Sequence, residues 1–181
     1  SSVAKDNVYT VVNIPSDRCG DHITWSLKNG VLTLSGSGEM YNYSYGTTPW
    51  YNQKSSVKKV VIDNRITSIG NWAFLECRYL AQIRIPGSVK SIGTRAFQSC
   101  DSLREIEIPA SVDMIYAEAF FDCENILKIV FRNASIEFGD SYMSDGDLGI
   151  ENKSTCVLYG YKNSTVQEYA GKFGYKFKIL E

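Results

Sequence analysis

"ITSIGNWAFLECRYLAQIRIPGS", residues 66–88, runs without a gap into "VKSIGTRAFQSCDSLREIEIPAS", residues 89–111, and then into "VDMIYAEAFFDCENILKIVFRNA", residues 112–134. The three segments align on a period of 23 residues. Ile69, Ile92 and Ile115 share a column, as do Ala73, Ala96 and Ala119, then Phe74, Phe97 and Phe120, then Cys77, Cys100 and Cys123. An L-x-x-I-x-I pattern closes each segment as Leu80/Ile83/Ile85, Leu103/Ile106/Ile108 and Ile126/Ile129/Phe131. A fixed period of this length marks stacked units, none of which covers its own apolar face alone.

The pattern translates directly into a solenoid. The L-x-x-I-x-I piece is a short strand with alternate residues inward, ended by Pro86 or Pro109 because proline donates no ladder bond. The V-x-x-I-G piece forms a second extended wall, and x-x-A-F-x-x-C is expected to make a short helical turn across the remaining side. Coils of this kind stack at about 4.8 Å. The alanine column admits close approach and the phenylalanine column fills the middle. Cys77, Cys100 and Cys123 then lie one above another, facing inward. Parallel stacked side chains point the wrong way to close a disulfide, so these cysteines read as small buried hydrophobes. Short C-x₂₋₄-C zinc pairs are absent, and a bond between Cys19 and Cys156 stays open.

Shifting the period back by one unit places Val57, Val60 and Ile62 in the strand columns, so a degenerate repeat precedes the first clear one. Tyr51 falls in the Phe74 column and Trp50 in the Ala73 column. A tryptophan stacks among alanines only where nothing lies beyond it, so Pro49, Trp50 and Tyr51 are expected to plug the end of the first coil. In the same stretch, "MYNYSYGTTPWY" over residues 40–51, Tyr41, Tyr43 and Tyr45 alternate as in a strand and form a candidate aromatic patch on one face.

The flanks read as end caps of one domain spanning residues 1–181. Residues 1–42 form a β cap in which Ile23/Trp25/Leu27 and Leu32/Leu34 alternate around the hairpin turn "KNG", with a further strand over residues 8–12. Repeats occupy residues 43–134, and residues 135–181 hold an acidic loop and a strand–helix–strand cap. Ser164 with Gln167, or Thr165 with Glu168, makes a capping box; Val166, Tyr169, Ala170 and Phe173 share a helical face that Gly174 ends. Asp145, Asp147 and Glu151 miss the EF-hand positions for glycine and the final glutamate, so the loop reads as solvated.

A net charge of −1 argues against a nucleic-acid or membrane-surface binder, which needs a basic excess. The chain contains no apolar run near 18 residues, hence no expected membrane insertion. It opens "SSVAKDNVYT", without an initiator methionine or leader pattern, so targeting information is missing. His22 is the one histidine, which leaves no histidine triad or multi-histidine metal site, and "SGSGEM" lacks the lysine and helix signal of a phosphate loop. No catalytic, metal or cofactor site is expected. Binding is the better class, because a solenoid offers an extended outer face. Its strand columns supply Lys58, Lys59, Gln82, Arg84, Arg104, Glu105, Glu107 and Lys128 as candidate ligand residues. The same columns place Arg84 one rung from Glu107 and Glu105 one rung from Lys128, pairs that stabilise a sheet face by about 0.2–1 kcal/mol without any ligand. Both roles are compatible.

The period of 23 with L-x-x-I-x-I-P, V-x-x-I-G and A-F-x-x-C resembles the BspA-like leucine-rich repeats of bacterial surface and secreted proteins. Both flanks, "CGDHITWSLKNGVLTLSGSGEM" and "LYGYKNSTVQEYAGKFGYKF", resemble the same family. The departures are Tyr116, where Gly70 and Gly93 stand in the earlier repeats, and a third strand without its proline; both suggest that the regular array is ending. The resemblance implies an α/β repeat solenoid of leucine-rich-repeat coils, located extracellularly, with no cofactor. It also implies a non-catalytic adhesion module whose partner is another protein, of a host or a bacterial surface. Carbohydrate binding through exposed tyrosine and tryptophan is the first alternative, and a spacer without its own ligand the second. The N-x-S/T sequons at Asn42, Asn133, Asn152 and Asn163 are incidental under that bacterial reading.

Overall fold

The computed structural model describes residues 17–140 and 146–181. The expected strand over residues 8–12 and the loop residue Asp145 lie outside the described residues. The chain opens with β1 (Arg18–Gly20), β2 (His22–Lys28) and β3 (Val31–Glu39), an antiparallel arrangement. Asn29 and Gly30 take φ of 51° and 80°, the two positive values of a type I′ turn that matches strand twist.

β3 is the seed of two walls. Its first half, Val31–Leu34, pairs in parallel with β4 (Lys59–Ile62), and its second half pairs with β5 (Arg65–Ile69). Between the halves Gly36 sits at φ 133°, where an added Cβ would meet the His22 carbonyl oxygen at 1.9 Å. In "SGSGEM" Gly36 is therefore glycine for a close approach, and Gly38 for its φ of 89°. The first wall continues through β6 (Gln82–Ile83), β8 (Glu105–Ile108), β10 (Lys128–Phe131), β12 (Val157–Gly160) and β13 (Lys176–Ile179). The second continues through β7 (Ser91–Ile92), β9 (Met114–Tyr116) and β11 (Glu137–Gly139). All these later pairings are parallel, as a solenoid requires.

The third side differs from expectation. The A-F-x-x-C segments form consecutive turns, not helix, and the described chain is mostly strand with a single α-helix, α1 (Thr165–Phe173). Two residues per coil adopt left-handed φ: Trp72 and Glu76, Arg95 and Ser99, Glu118 and Asp122. That alternation points backbone N–H groups along the stack instead of into a helix. Trp72, Phe74 and Glu76 donate to the carbonyls of Thr94, Ala96 and Gln98 in the next coil at 3.0, 2.8 and 2.8 Å. A helical turn would have consumed the same donors internally. Along this side Gly70 must be glycine, because a Cβ there would lie 1.9 Å from the Tyr41 carbonyl oxygen.

The core is the expected set of columns. Ala73, Ala96, Ala119, Phe74, Phe97 and Phe120 are fully buried, and the phenylalanine rings stack at 5.4 and 5.3 Å. Trp50 extends that stack, 6.2 Å from Phe74, with its Nε1 donating to the Ala73 carbonyl at 3.0 Å. The expected column assignment is thus corrected: Trp50, not Tyr51, takes the phenylalanine position, while Tyr51 starts a 3₁₀ turn over Tyr51–Ser56 and is half-buried. Trp25 packs edge-on against Trp50 at 5.8 Å. All five cysteines are free and buried, so Cys19 and Cys156 are not bonded. Cys100 and Cys123 donate to the Phe74 and Phe97 carbonyls.

The array also runs further than expected. Met114 pairs with Glu137 on the second wall and Lys128 with Val157 on the first. The offsets are 137 − 114 = 23 and 157 − 128 = 29 residues. The described residues on either side of 141–145 therefore add a fifth rung to both walls, with six more residues between the first-wall partners than between the second-wall ones, and the boundary expected at residue 134 moves past it. After it come β12, α1 and β13. Ser164 accepts from the Gln167 N–H at 3.3 Å, and Gly174 ends the helix at φ 78°.

Candidate functional site

The candidate columns fall on the outer face of the first wall. Lys59 pairs with Gln82, and Glu105 and Glu107 pair with Lys128 and Val130. Lys58, Lys59, Gln82, Arg84, Arg104, Glu105 and Glu107 are exposed, and Lys128 is half-buried. One expected charge pair is present: Lys128 Nζ lies 3.8 Å from Glu105 Oε2. The other is replaced. Glu107 is held by Arg132 at 3.1 Å, leaving Arg84 without an ion pair among the described residues.

β6 is the short member of this wall, and no ladder joins it to β8. The strand ends contribute one missing bond. Arg132, which follows β10, donates its N–H to the Ile108 carbonyl at 2.9 Å. The equivalent positions one and two repeats earlier are Pro109 and Pro86, which have no N–H to give. β4 pairs with β6 despite Pro86, and the wall is open on the β8 side of β6. In the inward column Val60, Ile106 and Ile129 are buried at 1%, 3% and 0% exposure, whereas Ile83 is only partly buried. A groove of about 760 Å³ results, lined among others by Lys59, Val61, Ile83, Arg84, Pro86 and Glu105. Val61, at 41% exposure, is apolar surface within it. Sequence reasoning selected the charged members of this region as ligand residues and not Val61, which shares the outward column of Arg84, nor Ile83 and Pro86, read as an inward strand residue and a strand terminator. The available signal was the presence of proline after two strands and its loss after the third.

The aromatic patch does not assemble. Residues 40–44 are not a strand, so the alternation does not put three rings on one face. Tyr43 is 6% exposed, edge-on to Trp50, with its hydroxyl donating to the Cys19 carbonyl at 3.3 Å. Tyr41 donates to Asp21 at 2.8 Å, and the exposed Tyr45 donates to Glu76 at 3.0 Å. Glu76 gathers Lys54, Tyr45 and Tyr51; burial opposes its charge, but these hydrogen bonds outweigh it and hold the carboxyl below its usual range.

Several other titratable groups are occupied structurally. Burial pushes the Cys77 and Cys123 thiols up to about 12, which leaves no thiolate near neutrality. Arg65 grips Asp63 with two guanidinium nitrogens, at 3.1 and 2.9 Å, and lowers its carboxyl to about 2. Asp147 accepts from Lys153 and Tyr175 at 2.5 and 2.6 Å. His22 is exposed at the start of β2. Among the described residues no group of three or more His, Cys, Asp or Glu is placed to hold a metal ion, and no helix is long and apolar enough to cross a membrane.

A parallel solenoid with this repeat is a leucine-rich-repeat fold, a class whose domains generally mediate protein–protein interaction. The model of the BspA type leucine-rich repeat region matches residues 48–153 in six copies, and the chain belongs to that family. Among solved structures, a leucine-rich repeat protein of Bacteroides ovatus superposes with a TM-score of 0.52 and 25% identity, over 70% of this chain and 31% of its own. The T. pallidum leucine-rich repeat protein gives 0.55 and 20% identity over 76% and 68%. A leucine-rich cell surface protein of Faecalibacterium prausnitzii gives 0.46 and 22% identity over 81% and 45%. The chain therefore spans less than two thirds of the Bacteroides and Faecalibacterium proteins. No curated protein matches the sequence.

Proposed function

We propose that the chain is a non-catalytic, extracellular adhesion module that engages a partner protein through the outer face of its first wall, centred on the groove beside β6. The observation that carries this is Ile83: a residue of the inward column only partly buried, on the floor of a groove rimmed by the unpaired cations Lys59 and Arg84. A spacer needs only a closed wall, and closing it would bury Ile83 like Ile106. The β1–β3 arrangement and the α1–β13 segment act as caps, covering the ends of the core and its strand edges. Extracellular placement follows the resemblance to bacterial surface proteins drawn from the repeat columns. The carbohydrate reading called on exposed tyrosine and tryptophan; Trp50 and Tyr43 are buried, and Tyr41 and Tyr45 bond to different partners, Asp21 and Glu76.

A photo-crosslinking residue placed at position 84 on the first wall, and separately at position 90 before the second, tests the reading against host-matrix and bacterial-surface extracts. Adducts from position 84 and not from position 90 are expected. Equal adducts, or none, return the chain to the spacer role.

A further inference from the structure

Resting on that binding role, the charge pattern narrows the partner. Five ion pairs of the solenoid join charged side chains about a coil apart. Lys54 meets Glu76, Arg78 meets Asp101 and Arg95 meets Glu118 on the turn side, while Glu105 meets Lys128 and Glu107 meets Arg132 on the first wall. On the first wall the exposed cations Lys58, Lys59, Arg84 and Arg104 have no ion pair among the described residues, and neither do Lys176 and Lys178 at the far end in β13. Lys59 and Arg84 line the groove, and Lys58 and Arg104 stand at strand starts outside its lining. Lys58 and Lys59 precede or begin β4, Arg84 follows β6 by one residue, and Arg104 immediately precedes β8. The two carboxylates nearby, Glu105 and Glu107, are already held from the β10 side. A chain whose net charge is −1 thus concentrates a cationic field over three successive rungs.

We infer that this face docks an extended acidic segment of a partner protein that also carries an aliphatic side chain. The cations supply the attraction to carboxylates. The groove between them supplies the second requirement, because its floor offers Val61, Ile83 and Pro86. A sulfated polysaccharide would satisfy the charge and leave that apolar floor uncovered. An acidic peptide with a leucine or valine covers both, and successive peptide residues alternate between carboxylate and apolar contacts as a strand does.

The test is fluorescence anisotropy on the full chain with three labelled probes: an acidic peptide alternating glutamate with leucine, oligoglutamate of equal length, and a heparin fragment. Saturable binding of the acidic–aliphatic peptide is expected. It should weaken by about tenfold in Lys59→Glu/Arg84→Glu and again when ionic strength rises from about 0.05 to about 0.5 M. Val61→Asp should reduce binding of the same peptide and bring it to the level of oligoglutamate, with thermal melts checking that each exposed-site variant stays folded. Undiminished binding in the charge-reversed variant overturns the inference, as does heparin binding tighter than the peptide and insensitive to Val61→Asp. If position 84 crosslinks a partner that the acidic peptide fails to displace, the binding role stands and this inference falls. If position 84 yields no adduct, the binding role falls with it.

Discussion

At the scale of single residues, recurrence made the core legible. Phe97 sits between Phe74 and Phe120 with no exposed surface, so Phe97→Ala should cost about 3–5 kcal/mol in urea unfolding. The left-handed positions were invisible for an equally concrete reason. They hold Trp72, Arg95 and Glu118 in one column, and Glu76, Ser99 and Asp122 in the other. Most of these types pay about 1–2 kcal/mol for that conformation, so composition gives no hint; inter-coil hydrogen bonds impose it. The consequence is a reversal of the usual glycine penalty. Ser99→Ala and Ser99→Gly both lose the hydroxyl that donates to Asp122 at 2.8 Å, but only glycine relieves φ of 55°. Ser99→Gly should therefore be more stable than Ser99→Ala by about 1 kcal/mol. At Ser91, in β7, the order should invert by about the same amount. Matching orders at the two sites would refute the account.

At the scale of elements, the sequence announced the strand columns of the repeats and the helix, and misjudged what lay between. The fifth coil was hidden because six inserted residues break the period in the middle of a repeat, while β11 and β12 keep their places on the two walls. That coil is tied down by Asp147. Burial opposes its charge, but donation from Lys153, Tyr175 and the Gly149 N–H outweighs burial and depresses the carboxyl pKa. A depressed folded pKa means stability present above the unfolded value of about 3.9 and lost as pH falls through the folded one. Glu76 has the same sign, with an unfolded value of about 4.3. The melting temperature should thus hold between about pH 7 and 5 and fall below about pH 4. Asp147→Asn should lower it at neutral pH and flatten the acid limb. A variant whose acid limb parallels wild type would remove Asp147 from the explanation.

At the scale of the whole molecule, the missing β6–β8 ladder raises the question of whether the solenoid unfolds as one body. Stability in stacked repeats is a sum of unit terms and nearest-neighbour interfaces, so a weakened interface can split the transition. Three connections oppose that here. The second wall passes the same junction through β5, β7 and β9. The turn side crosses it with bonds such as Phe74 to Ala96. The Trp50–Phe74–Phe97–Phe120 stack is continuous. The defect is confined to one of three sides, and one cooperative urea transition is expected. Local opening is another matter, because it needs only the side that lacks rung bonds. The amides of Ile83, Arg84 and Ile85 should exchange faster than those of Ile129, Val130 and Phe131, which sit between two intact ladders in β10. Hydrogen exchange resolved by residue reads both. Equal protection in β6 and β10 would mean that the wall closes in solution, and the groove that marks this face for a partner would close with it.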